Sequence, residues 1–289
     1  MKSKLKVAVL NGILILVAVS CTLSGQQPTS VPTLVTQTPV LPVATMTETP
    51  VTPTATVTQT AVPSPTGDSS APLIRLDAPL SLGLLEGVDY AFLEEHLRSD
   101  DYVVVHIRNL KSIDRVPGKR RLLILTPEDV KNMQQTLALA ESNQIDMISY
   151  NLEGQLTVEE LVAGESSVYE QVSAAGFPFM FGPTLNHLVR YYADLALNAD
   201  ALIIQSQRMQ TQDDYGENVK ELIANIKAVN PDIEVWVQIS IVPPPDREVP
   251  VETVLQEIAS IADSVDGLFL FYTIERWDEV KEIVTALRP

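Results

Sequence analysis

The chain has 289 residues, a formal net charge of −17 and a single cysteine. So acidic a protein repels phosphate backbones, which argues against general nucleic-acid binding. One cysteine excludes a disulfide framework and any multi-thiolate zinc or iron–sulfur site, and twelve scattered glycines leave no Gly-rich phosphate loop.

Residues 1–21 read as an export signal. Lys2, Lys4 and Lys6 precede a thirteen-residue, largely apolar run from Val7 to Val19, too short to span a bilayer comfortably. Ala18-Val19-Ser20 then precedes Cys21. This resembles the bacterial lipobox, with Ala18 where Leu is more usual. The resemblance implies lipidation at Cys21, a membrane anchor through that lipid and a place in the bacterial cell envelope, outside the cytoplasm. An ordinary signal peptide or a plain N-terminal anchor is the alternative. Residues 22–71 hold 14 Thr and 8 Pro and almost no charge. Such a stretch buries too little surface to offset its ordering entropy. It reads as a disordered, semi-rigid stalk with an upper reach of ~150 Å at ~3.1 Å per residue. Glycosylated stalk and passive linker fit equally.

Residues 72–289 form the folded domain, with 17 Lys/Arg against 35 Asp/Glu. Apolar, β-branched runs alternate with amphipathic stretches. Strands are expected at Leu73–Leu76, Tyr102–Ile107, Arg121–Leu125, Asp146–Tyr150, Phe177–Phe181, Ala201–Gln205, Glu234–Ile241 and Gly267–Tyr272. Helices are expected over Glu86–Arg98, from Thr126 to about Ser142, after Thr157, and over Leu185–Leu197, Tyr215–Val229, Pro250–Ser264 and Arg276–Leu287. Thr126-Pro127-Glu128-Asp129 is an N-cap followed by proline and acids, and Thr157-Val158-Glu159-Glu160 is a capping box. Eight strands in βα rhythm favour a single closed (β/α)8 barrel of the TIM type over an open doubly wound sheet. Ile107–Arg121 is the weak connection. Between its two ends it holds five basic residues, Pro117 and Gly118 but no clear helix, so a β-hairpin or a barrel lacking one helix is the alternative.

In such a barrel the site forms at the C-terminal ends of the strands. The late positions offer Arg75 and Asp77, His106 and Arg108, Ser149, Asn151 and Glu153, Gln205 and Gln207, Gln238 and Ser240, and Tyr272 with Glu275 beyond. Amides both donate and accept, which suits polyhydroxylated ligands. Tyr150, Tyr272, Trp236 and Phe181 are candidate apolar faces for sugar rings. Glu153 is the candidate acid/base, with an exposed loop glutamate as the alternative. Asp77, Asp213, Asp214 and Glu275 are the candidates for a second carboxyl. Three well-separated histidines give no metal spacing, and no metal or cofactor is expected.

Asn151-Leu152-Glu153 after the fourth strand resembles the acid/base placement of barrel glycoside hydrolases. That resemblance also implies a nucleophilic carboxylate after strand seven. Here the segment reads Gln238-Ile239-Ser240-Ile241-Val242-Pro243, with no carboxylate before Asp246. A second resemblance, carried by Ala199–Gln210 and Asn230–Ser240, is to exported bacterial proteins with glycosidase-like barrels, and brings no established activity. The expectation is therefore a monomeric surface lipoprotein whose barrel binds carbohydrate, with hydrolysis left open. A non-catalytic binding or scaffold barrel is the alternative, and a solute-capturing lipoprotein a more distant one.

Overall fold

The computed structural model describes residues 74–244 and 248–289. The signal, Cys21, the Thr/Pro-rich stretch and Asp246 lie outside the described residues.

Eight parallel strands close into one barrel in sequence order. They are β1 Leu80–Gly83, β2 Tyr102–Val105, β3 Arg120–Leu125, β4 Met147–Tyr150, β5 Phe179–Phe181, β6 Ala201–Gln205, β7 Glu234–Ser240 and β8 Gly267–Phe271. Leu80 pairs with Leu268, which shuts the ring. The helices are α1 Tyr90–His96, α2 Pro127–Lys131, α3 Met133–Ser142, α4 Val158–Ala174, α5 Leu185–Leu195, α6 Tyr215–Val229, α7 Val251–Ile261 and α8 Trp277–Leu287.

Three of the expected elements move. The first strand is Leu80–Gly83, not Leu73–Leu76, although Leu76 is buried in the core. The long second helix breaks at Asn132, whose backbone leaves the helical range. The doubtful connection is a kinked 3-10 helix over Ile107–Arg115. β2 and β3 pair in parallel, so the hairpin alternative falls. Thr126 and Thr157 cap their helices as expected, each accepting from the backbone N–H three residues on.

Strand parity divides the core in two. Leu82, Val103, Leu123, Ile148, Phe181, Leu202, Val237 and Leu270 face the helices. Tyr102, Leu122, Met147, Met180, Ala201, Ile203, Trp236 and Phe269 fill the barrel. The N-terminal half is plugged: the Tyr102 and Trp236 rings meet edge-on at 5.4 Å, and the Arg120 guanidinium lies 4.4 Å from the Tyr102 ring centre. Trp236 Nε1 donates to Glu234 Oε2 at 3.0 Å. Gly267 is obligatory there, since a Cβ would lie 2.3 Å from the Trp236 ring.

An aspartate stands just before every even-numbered strand and accepts the first free N–H of the strand preceding it. Asp101 takes Leu80 N at 2.7 Å, Asp146 takes Arg121 N at 2.7 Å, Asp200 takes Phe179 N at 2.8 Å and Asp266 takes Val235 N at 2.7 Å. Strand starts have N–H groups without ladder partners, and a carboxylate supplies the missing acceptor. The device repeats four times around the closed end. The open end is thus left to carry the site.

Candidate functional site

The C-terminal mouth holds a cavity of about 340 Å³. Its polar lining comes from β2, β4, β6, β7 and the loops that follow: His106, Asn109, Asn151, Glu153, Gln205, Gln207 and Gln238. Phe269, Phe271, Tyr272, Leu84 and Leu85 supply its apolar side.

Parity and register bring these groups together. Gln205 and Gln238 are direct partners across β6 and β7, so two amides stand side by side on the inner face. Gln205 Nε2 donates to Gly182 O at 3.3 Å. Gln238 is 8% exposed, and its amide has no partner among the described residues. Asn151 extends the inward parity of Met147 and Ser149 on β4. Its Oδ1 is buried with nothing donating to it. Gly182 gives it room, because a Cβ at 182 would lie 2.2 Å from that oxygen. An orphaned acceptor at the wall of a cavity is costly unless a ligand or solvent donor meets it.

His106 is fixed by its backbone and ring. Its N–H donates to Asn109 Oδ1 at 2.8 Å, and Asn109 Nδ2 donates to Leu84 O at 2.9 Å. Its Nδ1 lies 3.2 Å from Ile124 O. A carbonyl only accepts, so Nδ1 carries the proton and Nε2 remains an acceptor. Burial, with the Arg108 charge beside it, lowers the His106 pKa from its usual value. The ring is therefore neutral at neutral pH.

The mouth brings together His106, Asn151, Glu153, Gln205, Gln207, Gln238 and Tyr272 from the expected set. The Tyr272 hydroxyl donates to Gly83 O, tying β8 to β1, and burial pushes its pKa up. Arg108 is exposed in an adjoining cleft rather than in the cavity. Six expected residues are elsewhere. Because β1 begins at Leu80, Arg75 and Asp77 precede it at the closed end, where they pair with each other at 2.8 Å. Tyr150 has the outward parity and is buried against the helices, as is Phe181. Glu275 is exposed in a turn beyond β8, outside the cavity. Trp236 belongs to the plug.

Two residues of the mouth escaped the sequence reading. Asn109 sits within a basic stretch that lacks a helical pattern. Phe271 reads as core but is 47% exposed at the rim, with Leu85 at 37%. They supply the apolar face assigned from sequence to Tyr150, Trp236 and Phe181. Glu153 is exposed and, among the described residues, is the one carboxylate lining the cavity. Among the described residues no group of three or more His, Cys, Asp or Glu is placed to hold a metal ion. No described helix is long and apolar enough to cross a membrane.

The sequence matches no protein-family model and no curated protein. Solved structures do resemble it. A putative deoxyribose-phosphate aldolase from Coccidioides immitis is 10% identical with a TM-score of 0.50, over 74% of this chain and 84% of that one. An endo-beta-N-acetylglucosaminidase from Cordyceps militaris is 12% identical with a TM-score of 0.48, over 74% and 92%. A glycoside hydrolase family 17 beta-1,3-glucanosyltransferase from Rhizomucor miehei is 13% identical with a TM-score of 0.46, over 65% and 85%. At such identities the likeness concerns the fold alone, and the described chain is a (β/α)8 barrel of the TIM type.

Proposed function

We propose that the barrel mouth is a carbohydrate-binding site that works without paired-carboxylate hydrolysis. The observation that carries this reading is the composition of the cavity. Among the described residues five amides, Asn109, Asn151, Gln205, Gln207 and Gln238, line it beside the exposed Phe271 ring and a single carboxylate, Glu153. Amides match the mixed donor and acceptor pattern of sugar hydroxyls, and an aromatic face packs on the C–H side of a sugar ring. Acid/base glycoside hydrolysis in its two-carboxyl form needs a second carboxyl facing the first across the bond. Among the described residues, Asp77 stands at the closed end and Asp213, Asp214 and Glu275 do not line the cavity, so none of these candidates faces Glu153 there.

A glycan-array screen of the full chain tests the reading, followed by a hydrolysis assay on every hit with wild type and Glu153→Gln. Binding without product, retained in Glu153→Gln, supports it. Product formation that Glu153→Gln abolishes refutes the non-hydrolytic part. The same reading places the barrel outside the cytoplasm on a lipid anchor at Cys21. Its support is the charged start, the apolar run and the small residues before Cys21. Metabolic labelling with a fatty acid, lost in Cys21→Ala, is the expected result; unlabelled wild type counts against the anchor.

A further inference from the structure

The cations of this acidic chain are unevenly paired. Nine of the sixteen described Lys and Arg lie within 4.0 Å of a carboxylate. Two more, at the closed end, have other partners: Lys119 Nζ donates to Leu97 O, and Arg120 covers the Tyr102 ring. The remaining five are Arg108, Lys111, Arg115, Arg190 and Arg208. All five line two clefts that adjoin the mouth.

One cleft, of about 800 Å³, shares Leu84 and Asn109 with the cavity and carries Arg108, Lys111 and Arg115. The Arg115 guanidinium lies 3.5 Å from the Tyr90 ring centre, which holds it without neutralising it. The other cleft, of about 630 Å³, shares Glu153, Gln205 and Gln207 with the cavity and carries Arg190 and Arg208. Among the described residues the lining carboxylates are Glu86 in the first and Glu153 in the second. Cations therefore outnumber acids on both flanks, in a chain whose net charge is −17. An acidic protein gains nothing in solubility from leaving its unpaired cations in clefts. Clefts lined by one sign of charge concentrate ligands of the opposite sign, and guanidinium forks match carboxylates in a bidentate manner.

We infer that the mouth takes an acidic polysaccharide, a chain of sugar rings bearing carboxylates. A neutral part of the chain meets the amides and Phe271. Carboxylates on either side meet Arg108 and Lys111 on one flank and Arg190 and Arg208 on the other. This rests on the carbohydrate reading above and specifies the charge of the glycan. A nucleic acid is the disfavoured polyanion, because the mouth between the two flanks presents amides suited to sugar hydroxyls rather than a continuous row of cations tracking a phosphate backbone.

The test titrates the full chain with polygalacturonate and hyaluronan as acidic probes, laminarin and dextran as neutral ones, and a single-stranded oligonucleotide. Titrations run at about 50 and about 200 mM NaCl, a range over which phosphate-type contacts weaken strongly. Variants are Arg108→Gln/Lys111→Gln and Arg190→Gln/Arg208→Gln, all exposed positions. Lys131→Gln/Lys281→Gln, at two residues that line none of the three cavities, is the control. The expected result is acidic glycans bound at least about tenfold more tightly than neutral ones. Affinity should fall about tenfold in each cleft variant and at higher salt, with the control unchanged. Neutral glycans bound as tightly as acidic ones, with no effect of the cleft variants, overturns the inference and leaves the carbohydrate reading standing. An oligonucleotide bound as tightly as the uronate polymers also overturns it. No glycan of either charge bound removes the carbohydrate reading itself.

Discussion

Asp101 and Arg288 are 187 residues apart in the chain and meet as a buried, two-pronged ion pair at the closed end of the barrel. Arg288 Nε lies 3.0 Å from Asp101 Oδ2 and its Nη2 2.7 Å from Oδ1. Asp101 is fully buried and also accepts from Leu80 N and Arg98 N. The same guanidinium donates to Leu76 O and Ala78 O. One contact thus joins the chain entering β1, the start of β2 and the end of α8.

Breaking that pair leaves a buried charge without its partner. Arg288→Ala or Asp101→Ala is expected to cost about 3–5 kcal/mol, a fall in Tm on the order of 10 °C for a domain of this size. Arg75→Ala, which breaks an exposed pair, is expected to leave Tm within about a degree. Thermal denaturation followed by circular dichroism checks both, and equal effects would show that the clamp is not what ties the seam.

Glu165 gives a pH signature to stability. It is fully buried on α4, neither oxygen has a partner, and burial pushes its pKa up to about 9. The native state keeps this proton to about pH 9, while the unfolded chain releases it near the ordinary 4.5. Between those values the unfolded state binds fewer protons, so this residue's contribution is full below the lower value and is lost as pH rises towards the upper one. Glu165→Met is expected to be more stable than wild type near neutral pH by about 1–3 kcal/mol, with the gain shrinking as pH falls towards 4.5. Denaturant titrations across pH measure this; a gain independent of pH would contradict the buried neutral acid.

Gly182 and Asn151 offer a test that separates site from fold. Gly182→Ala drives a Cβ against Asn151 Oδ1, at the far end of a side chain rather than against backbone. The amide must turn away from its present position. Glycan affinity is expected to drop on the order of tenfold, the equivalent of about 1.4 kcal/mol, with little change in Tm. Unchanged affinity in the binding titration would mean that Asn151 does not touch the ligand.

Most of the barrel was legible because buried parallel strands are apolar on both faces. The bounds of β6 and α6 match the expectation. β1 did not, and for a physical reason. Its inner positions are Ser81 and Gly83, small residues in a ring filled from other strands by Tyr102, Trp236 and Phe269. The more apolar Leu73–Leu76 therefore looked like the strand. That one shift carried Arg75 and Asp77 to the wrong end of the molecule. Tyr150 was misassigned because one residue of parity separates it from Ser149, and parity decides core against cavity. The four strand-start aspartates were present as Asp followed by an apolar run. That local pattern carries no hint of their shared role, which depends on the start of the preceding strand. The amides were found because β6 and β7 were placed correctly, so their late positions fell on the inner face.

The central claim is that paired amides on β6 and β7 hold a glycan in the mouth. Calorimetric titration of wild type and Gln205→Leu/Gln238→Leu with a glycan identified on the array tests it most directly. The account predicts binding weakened at least about tenfold in the double variant, with an unaltered melting temperature. Equal affinity in the two proteins would contradict it.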